Sequence, residues 1–262
     1  MRVAIIAPIA NLDLCLASTY HMALAHLVLQ SEEYATFYLN RSAAGSFVLM
    51  DNGVVEGEPL PLAKVIEAAN RIRATEIVLP DTIRDGVRTW HQVDDAFNTG
   101  IFRDFIKETG TQVMAVPHGE RMVAWLGCLQ HLSEYPIDTI GISKFEMHDP
   151  RTAVQGRVAM VPHVKRIMPK AEIHFLGIGG SPIEISYPTY EVRGVDSCIP
   201  TIAAYYNVMF HPYYGLYLRP DFWHYDPNTV LDDIQQEIAR ENITQMLRWA
   251  ENSEYYAGDL MP

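Results

Sequence analysis

Residues 47–81 read FVLMDNGVVEGEPLPLAKVIEAANRIRATEIVLPD, and their pattern decides the fold. The stretch opens on the apolar run Phe47–Asp51, breaks at Asn52-Gly53 and closes on a second apolar run over 76–80. Runs this short and this apolar suit strands covered on both faces, as in parallel sheets. Between them Pro61 opens a segment with Leu62, Val65, Ile66, Ala69 and Ile72 on one helical face. Strand, helix and strand in that order form a parallel crossover unit. A carboxylate stands at the end of each strand, Asp51 and Asp81.

The same alternation extends outward. Residues 3–8, 35–39, 112–116, 139–142, 172–177 and 192–196 form similar runs. Helical spacing fills most gaps: Val93, Ala96, Phe97 and Ile101 in one, Met122, Val123, Leu126 and Leu129 in another. The segment 152–168 is also periodic, and Pro162 is expected to kink or split it. Eight strands with helices between them indicate an α/β fold, a (β/α)8 TIM barrel, with the open doubly wound sheet as the competing arrangement. Two features break the alternation. The gap 40–46 is too short for a helix, and the chain continues for 66 residues past 196. One domain is expected, with a barrel core over 1–200 and a C-terminal extension over 201–262, aromatic from Tyr205 to Tyr225 and helical near 229–251.

Composition limits the function classes. The chain has 262 residues, 20 Lys+Arg, 32 Asp+Glu and a net charge of −12, with 48% hydrophobic residues, an ordinary globular balance. No apolar run approaches 18 residues and the N-terminal apolar run is short for a signal peptide, so no membrane partner and a cytoplasmic location are expected. Cys15, Cys128 and Cys198 are isolated, as in a reduced protein. The acidity argues against nucleic acid, but it is uneven: residues 221–262 carry nine acidic and two basic groups. That distribution predicts a tail lying away from the functional mouth. Arg151, Arg157, Lys165, Arg166 and Lys170 form a run without acidic residues, read either as a solvated helix face or as a phosphate-facing surface.

In a barrel, chemistry gathers where strands end. Those ends hold Asp51-Asn52-Gly53, Asp81, His118-Gly119-Glu120, Gly141-Ile142-Ser143, Gly177-Ile178-Gly179-Gly180 and Asp196-Ser197-Cys198. A single Asp there is an ordinary helix cap, but three on one rim point to chemistry. Closely held carboxylates can divide acid, base and nucleophile roles. The sequence holds no zinc-spaced Cys pair, His-Glu-x-x-His, Gly-x-Ser-x-Gly elbow or Walker loop, and no metal or cofactor is expected.

In order, these strand ends resemble the tRNA-guanine transglycosylase family, (β/α)8 barrels that exchange guanine in a polynucleotide for a 7-deazaguanine. The family's Asp-Ser-Gly-Gly box is similar to Asp51-Asn52-Gly53, and its second base-recognising aspartate is matched by Asp81. Its Val-Gln-Gly-Gly segment resembles Pro117-His118-Gly119-Glu120, and its Gly-Gly-Leu…Gly-Glu segment resembles Gly141-Ile142-Ser143 with Glu146. Its Leu-Met-Gly-Val-Gly strand end is similar to Phe175-Leu176-Gly177-Ile178-Gly179. Its nucleophile box, Asp-Cys-Val-x-Pro-Thr, is similar to Asp196-Ser197-Cys198-Ile199-Pro200-Thr201. The family's zinc cluster is missing, Ile202-Ala203-Ala204-Tyr205-Tyr206 replace its RNA-holding arginines, and His118 replaces the Gln that reads the base. That combination resembles the reduced branch acting on DNA, of phage and bacteria, which places the enzyme in the host cytoplasm if phage-encoded.

The resemblance implies Asp196 as the nucleophile on the sugar and Asp51 as the proton acceptor for the incoming base. It implies Asp81, His118, Gly119, Gly141, Leu176, Gly177 and Asn52 as the base-binding set. Loss of a base builds positive charge on the sugar, which a carboxylate stabilises and traps, so the chemistry fits the residues. The nucleic-acid contacts are expected from Arg151, Arg157, Lys165 and Arg166, and an aromatic plug from Tyr205, Tyr206, Tyr213 or Tyr214. Expected partners are DNA and a 7-deazaguanine base. Three alternatives stand beside this reading: an enzyme acting on tRNA, a barrel lyase or isomerase on a small phosphorylated substrate using Lys144, and a non-catalytic nucleic-acid-binding subunit.

Overall fold

Eight parallel strands, β1 (Arg2–Ile5), β2 (Tyr20–Leu24), β3 (Phe47–Asp51), β4 (Glu76–Val78), β5 (Gln112–Ala115), β6 (Thr139–Ser143), β7 (Glu172–Leu176) and β8 (Gly194–Ser197), pair in chain order, and β8 returns to pair with β1. In a doubly wound sheet the strand order reverses part-way; here the chain travels once around, and the sheet is a (β/α)8 barrel. Closure is incomplete: β1 and β2 lie side by side without a ladder between them. These descriptions come from a computed structural model and cover residues 1–55, 57, 59–145, 153–178, 185, 191–211 and 225–251.

The outer layer holds α1 (Ala25–Gln30), α2 (Glu32–Ala43), α3 (Leu62–Ile72), α4 (Gly86–Asn98), α5 (Gly100–Thr109), α6 (Met122–Leu132), α7 (Ala153–Ile167), α8 (Ile199–Tyr205) and α9 (Asp233–Glu251). The crossover over 47–81 is seen as expected, with Val65, Ile66, Ala69 and Ile72 of α3 buried against the sheet. The run 35–39 corrects the expectation: it is helical, inside α2. Ser31 caps that helix by accepting from the Tyr34 amide, Glu32 and Glu33 occupy its first turn, and Tyr34, Ala35 and Tyr38 bury one face. The second strand is β2, with all five residues buried, so α1 and α2 fill the connection to β3 and the irregular 40–46 gap disappears.

Other boundaries shift. The first run ends as a strand at Ile5 and a 3-10 segment, Ile9–Ala17, follows. Periodicity through Ile101 breaks at Thr99, because α5 starts a new axis and leaves Ile101 exposed. α7 runs as one helix through Pro162. α9 packs on α8, β1 and the 3-10 segment, burying Ala239, Ile243, Met246, Trp249 and Ala250. Asn242 on its buried face accepts from the Phe210 amide (2.7 Å) and donates to the Pro200 and Val208 carbonyls, fixing α9 to the end of α8.

The strand starts form a floor. Glu76 is fully buried and pairs with Arg193, which precedes β8, and Arg193 Nη1 also donates to Thr139 (3.0 Å). The Arg193 guanidinium lies 4.8 Å from the Phe47 ring, and that of Arg2 lies 4.7 Å from the Tyr20 ring. Aromatic faces and a complete ion pair thus stop the barrel at this end.

Candidate functional site

At the opposite end the strands open into a cavity of about 520 Å³. Asp51, Asn52, Asp81, Leu176, Gly177 and Asp196 line it, together with Ser143 and Lys144 after β6. All three carboxylates singled out by their place after a strand therefore share one space. No helix among the described residues is long and apolar enough to cross a membrane, and among them no three His, Cys, Asp or Glu side chains group as a metal site.

Asp196 sits third in β8, opposite Ala4 of β1, with a side chain 8% exposed. Its Oδ1 accepts from His174 Nε2 at 3.0 Å and from the Gly177 amide at 2.9 Å. Beyond it, Pro200 begins α8, and the Thr201 hydroxyl donates to the Ile6 carbonyl (3.1 Å), tying the helix start to β1. The Asp-to-Pro-Thr spacing thus fixes the strand end on which Asp196 stands.

Asp81 belongs to a second buried network. Asn52 Nδ2 donates to its Oδ1 at 2.6 Å and to the Leu79 carbonyl at 2.8 Å. His118 lies 2.6 Å from Oδ2 through Nε2, while the Arg84 amide donates to its Nδ1. A ring nitrogen that accepts a backbone N–H carries no proton, so His118 holds its proton on Nε2 and gives it to Asp81. His118 accordingly acts behind Asp81: it is 1% exposed and absent from the cavity lining. Asp51 accepts from the Gly53 amide at 2.9 Å, a tight turn that Gly53 enters at φ +80°.

The glycines divide. Gly177 lines the cavity at φ +64°, where a side chain is strained and where the Lys144 stem already fills the space a Cβ needs. Gly141 lies one layer below, its side-chain space taken by Leu176, Met114 and Val116. Gly119 lets the β5 loop lie against the start of α6, where an added Cβ would fall 2.3 Å from the Trp125 amide nitrogen, closer than any side chain permits. Neither Gly119 nor Gly141 lines the cavity.

The basic run is corrected. Arg157 is 2% exposed and spends its guanidinium on the carbonyls of Ile142 (3.2 Å), Leu176 (3.0 Å) and Gly177 (2.8 Å), with the Phe175 ring 4.7 Å away. Lys165 donates to the Ala171 carbonyl just before β7, at the floor end, and Arg166 follows it there on α7. Arg151 lies outside the described residues. Among the described residues, exposed cations at the mouth end include Arg84 after β4, Arg88 in the first turn of α4 and Arg121 at the start of α6, while Lys64 in the first turn of α3 is paired with Glu67. Sequence reading missed them because each stands alone among acidic and apolar neighbours, whereas 151–170 is a visible run.

Tyr205 and Tyr206 are exposed, with ring centres 5.1 Å apart, beside the mouth; Tyr213 and Tyr214 lie outside the described residues. The expectation that the acidic tail lies away from the mouth is corrected for the start of that tail. Tyr225 and Pro227 line the cavity, and the Tyr225 hydroxyl donates to the Ala7 carbonyl. The acidic helix α9 then runs down the wall to the floor, where Ala250 accepts from the Met1 amine. The other residue sequence reading missed is His174. Its signal is a lone imidazole inside an apolar strand, and its partner Tyr20 lies in β2, which the pattern of apolar runs does not mark.

No protein-family model matches this chain, and no curated protein matches it.

Proposed function

We propose that this barrel is a base-exchange transglycosylase that replaces guanine in DNA with a 7-deazaguanine of the 7-cyano type. One observation carries the reading: two buried carboxylates, Asp196 and Asp81, face one cavity, each held by neutral hydrogen-bond donors that leave its charge intact. Asp196 Oδ2 attacks C1′, the C1′–N9 bond breaks, and the sugar is held as an aspartyl ester. The incoming base loses its N9 proton, attacks C1′, and expels Asp196. The exchange consumes no proton overall, because the departing guanine gains what the incoming base gives up, and Asp51 carries it between them. Asp81 accepts from N1–H and the 2-amino group, its two oxygens fixed in place by Asn52 and His118.

Asp81 and Asp196 are buried in the cavity wall, so a target in duplex DNA leaves the stack to reach them. Arg84, Arg88, Arg121 and Lys144 meet the phosphates on that side. Lys144 also favours a second reading, a lyase or isomerase acting on a small phosphorylated substrate, since its ammonium stands in the cavity wall beside Gly177.

The test is incorporation of labelled 7-cyano-7-deazaguanine into duplex DNA, single-stranded DNA and tRNA. Incorporation into DNA is expected, with a denaturation-resistant protein–DNA adduct that disappears in Asp196→Asn. A fully active Asp196→Asn protein removes the mechanism. Incorporation confined to tRNA moves the enzyme to the RNA-acting branch. Turnover of small sugar phosphates with no exchange on any polymer supports the second reading.

A further inference from the structure

The hydrogen bonds around Asp196 do not end at its first neighbours. His174 is fully buried, with Nε2 3.0 Å from Asp196 Oδ1 and Nδ1 2.8 Å from the Tyr20 hydroxyl. An ionised carboxylate only accepts, so Nε2 carries the proton; the guanidinium groups of Arg2 and Arg193 over the Tyr20 ring disfavour a second proton on the buried imidazole, so Nδ1 accepts and Tyr20 donates to it. Tyr20 stands in the floor layer, next to Arg2 and Arg193, which have no acceptor to offer its hydroxyl proton. Every group along this line thus has one self-consistent direction of donation, from the floor up to the mouth. Gly194 of β8 makes room for it, because a Cβ there lies 2.6 Å from the Tyr20 ring.

A second arm reaches the same oxygen. The Gly177 amide donates to Asp196 Oδ1, and the carbonyl of the same peptide, that of Leu176, accepts from Arg157 Nη1 at 3.0 Å and from the Lys144 amide at 3.0 Å. A peptide gripped by its oxygen cannot turn its N–H away. The guanidinium of Arg157 therefore aims a neutral donor at the aspartate without approaching it.

We propose that Tyr20, His174 and Arg157 are positioning residues forming a two-armed clamp on Asp196 Oδ1, which turns Oδ2 toward the cavity as the attacking atom. The clamp rests on the reading of Asp196 as the nucleophile. The groups facing Asp196 around the cavity are Asp51, Asp81, Lys144, His26, Cys198 and Tyr225. Only the clamp donors are within hydrogen-bonding distance of its Oδ1 among the described residues.

The first measurement is on the unaltered protein: nitrogen-15 NMR of labelled histidine rings, with His174 assigned by its loss in His174→Gln. A proton on Nε2, slow to exchange, is expected; a proton on Nδ1 overturns the clamp. In Tyr20→Phe the ring loses its fixed tautomer and that proton exchanges faster. An unchanged ring overturns the Tyr20 arm. The second measurement is steady-state base exchange. His174→Phe is expected to lower kcat about 10- to 100-fold with KM for DNA unchanged, as a misaimed nucleophile does. His174→Gln, whose side-chain amide nitrogen reaches the same oxygen, should recover most of the loss. A folded His174→Phe protein with wild-type kcat overturns the clamp and leaves the function standing. The expected tautomer in a protein that exchanges no base leaves the clamp standing and overturns the function. Should His174→Phe fail to fold, Tyr20→Phe carries the kinetic test: a lowered kcat at unchanged KM for DNA is expected, and wild-type kcat together with an unchanged ring overturns the clamp.

Discussion

At the floor of the barrel Glu76 meets the guanidinium of Arg193, whereas at the mouth Asp81 and Asp196 meet an amide side chain, two imidazoles and a backbone N–H. Both ends bury carboxylates. The floor cancels its charge with an opposite charge, and the mouth satisfies its hydrogen bonds while leaving the charge available to a substrate. Full pairing makes a plug; solvation by neutral dipoles makes a reagent.

The largest expected effect pits one end against the other. Asp196→Asn should cost activity by about 10³-fold or more while stability stays within about 1 kcal/mol, since Asn still accepts from His174 and Gly177. Glu76→Gln should do the opposite, losing about 3–5 kcal/mol by leaving Arg193 buried and unpaired, with activity per folded molecule retained. Urea denaturation and base-exchange assays on the two proteins check both halves. Parallel losses in the two variants would erase the distinction between floor and mouth.

A smaller effect comes from a buried group that neither end supplies with a partner. His21, on β2, packs against Phe37 and Tyr38, and among the described residues neither of its ring nitrogens has a hydrogen-bond partner. Burial, with help from Arg41, holds its pKa down to about 4. The unfolded chain takes up the proton first, near pH 6.5, so stability is complete above that pH and falls as pH drops through 4, by up to about 3 kcal/mol. Thermal unfolding across pH 4–7 should show that slope, and His21→Leu should flatten it. A slope unchanged in His21→Leu assigns the acid sensitivity to other groups.

The smallest effect concerns the rim. Arg84→Ala and Arg121→Ala should each weaken DNA binding by about 1 kcal/mol and make the log–log salt slope about one unit shallower. Lys165→Ala and Arg166→Ala, at the floor end, should change neither, as fluorescence anisotropy at several salt concentrations will read out.

The barrel was legible in the sequence because its strands are buried on both faces and stand out as apolar runs. β2 was not: Tyr20 and His21 give it a polar start, while residues 35–39 are equally β-rich and yet lie behind a Ser31 cap with two acidic residues after it. Tertiary burial of Tyr34 and Tyr38 outweighed their strand propensity. The aspartates were legible because a barrel makes the end of a strand a functional address. Arg157 was misread because sequence shows charge and not direction; its guanidinium points inward to three carbonyls. His174 needed the register of β7 against β6 and β8, and its link to Tyr20, 154 residues away, before it meant anything.

Gly194 has a consequence for inheritance. It carries no polar side chain and touches no substrate, yet a single methyl there occupies the place of the Tyr20 ring. Positions 194 and 20 are therefore one heritable unit: descendants that gain a side chain at 194 must shrink residue 20 and give up the floor end of the proton line. Second-site revertants of Gly194→Ala, selected for folding alone, will map to Tyr20, and those selected for activity will restore the glycine.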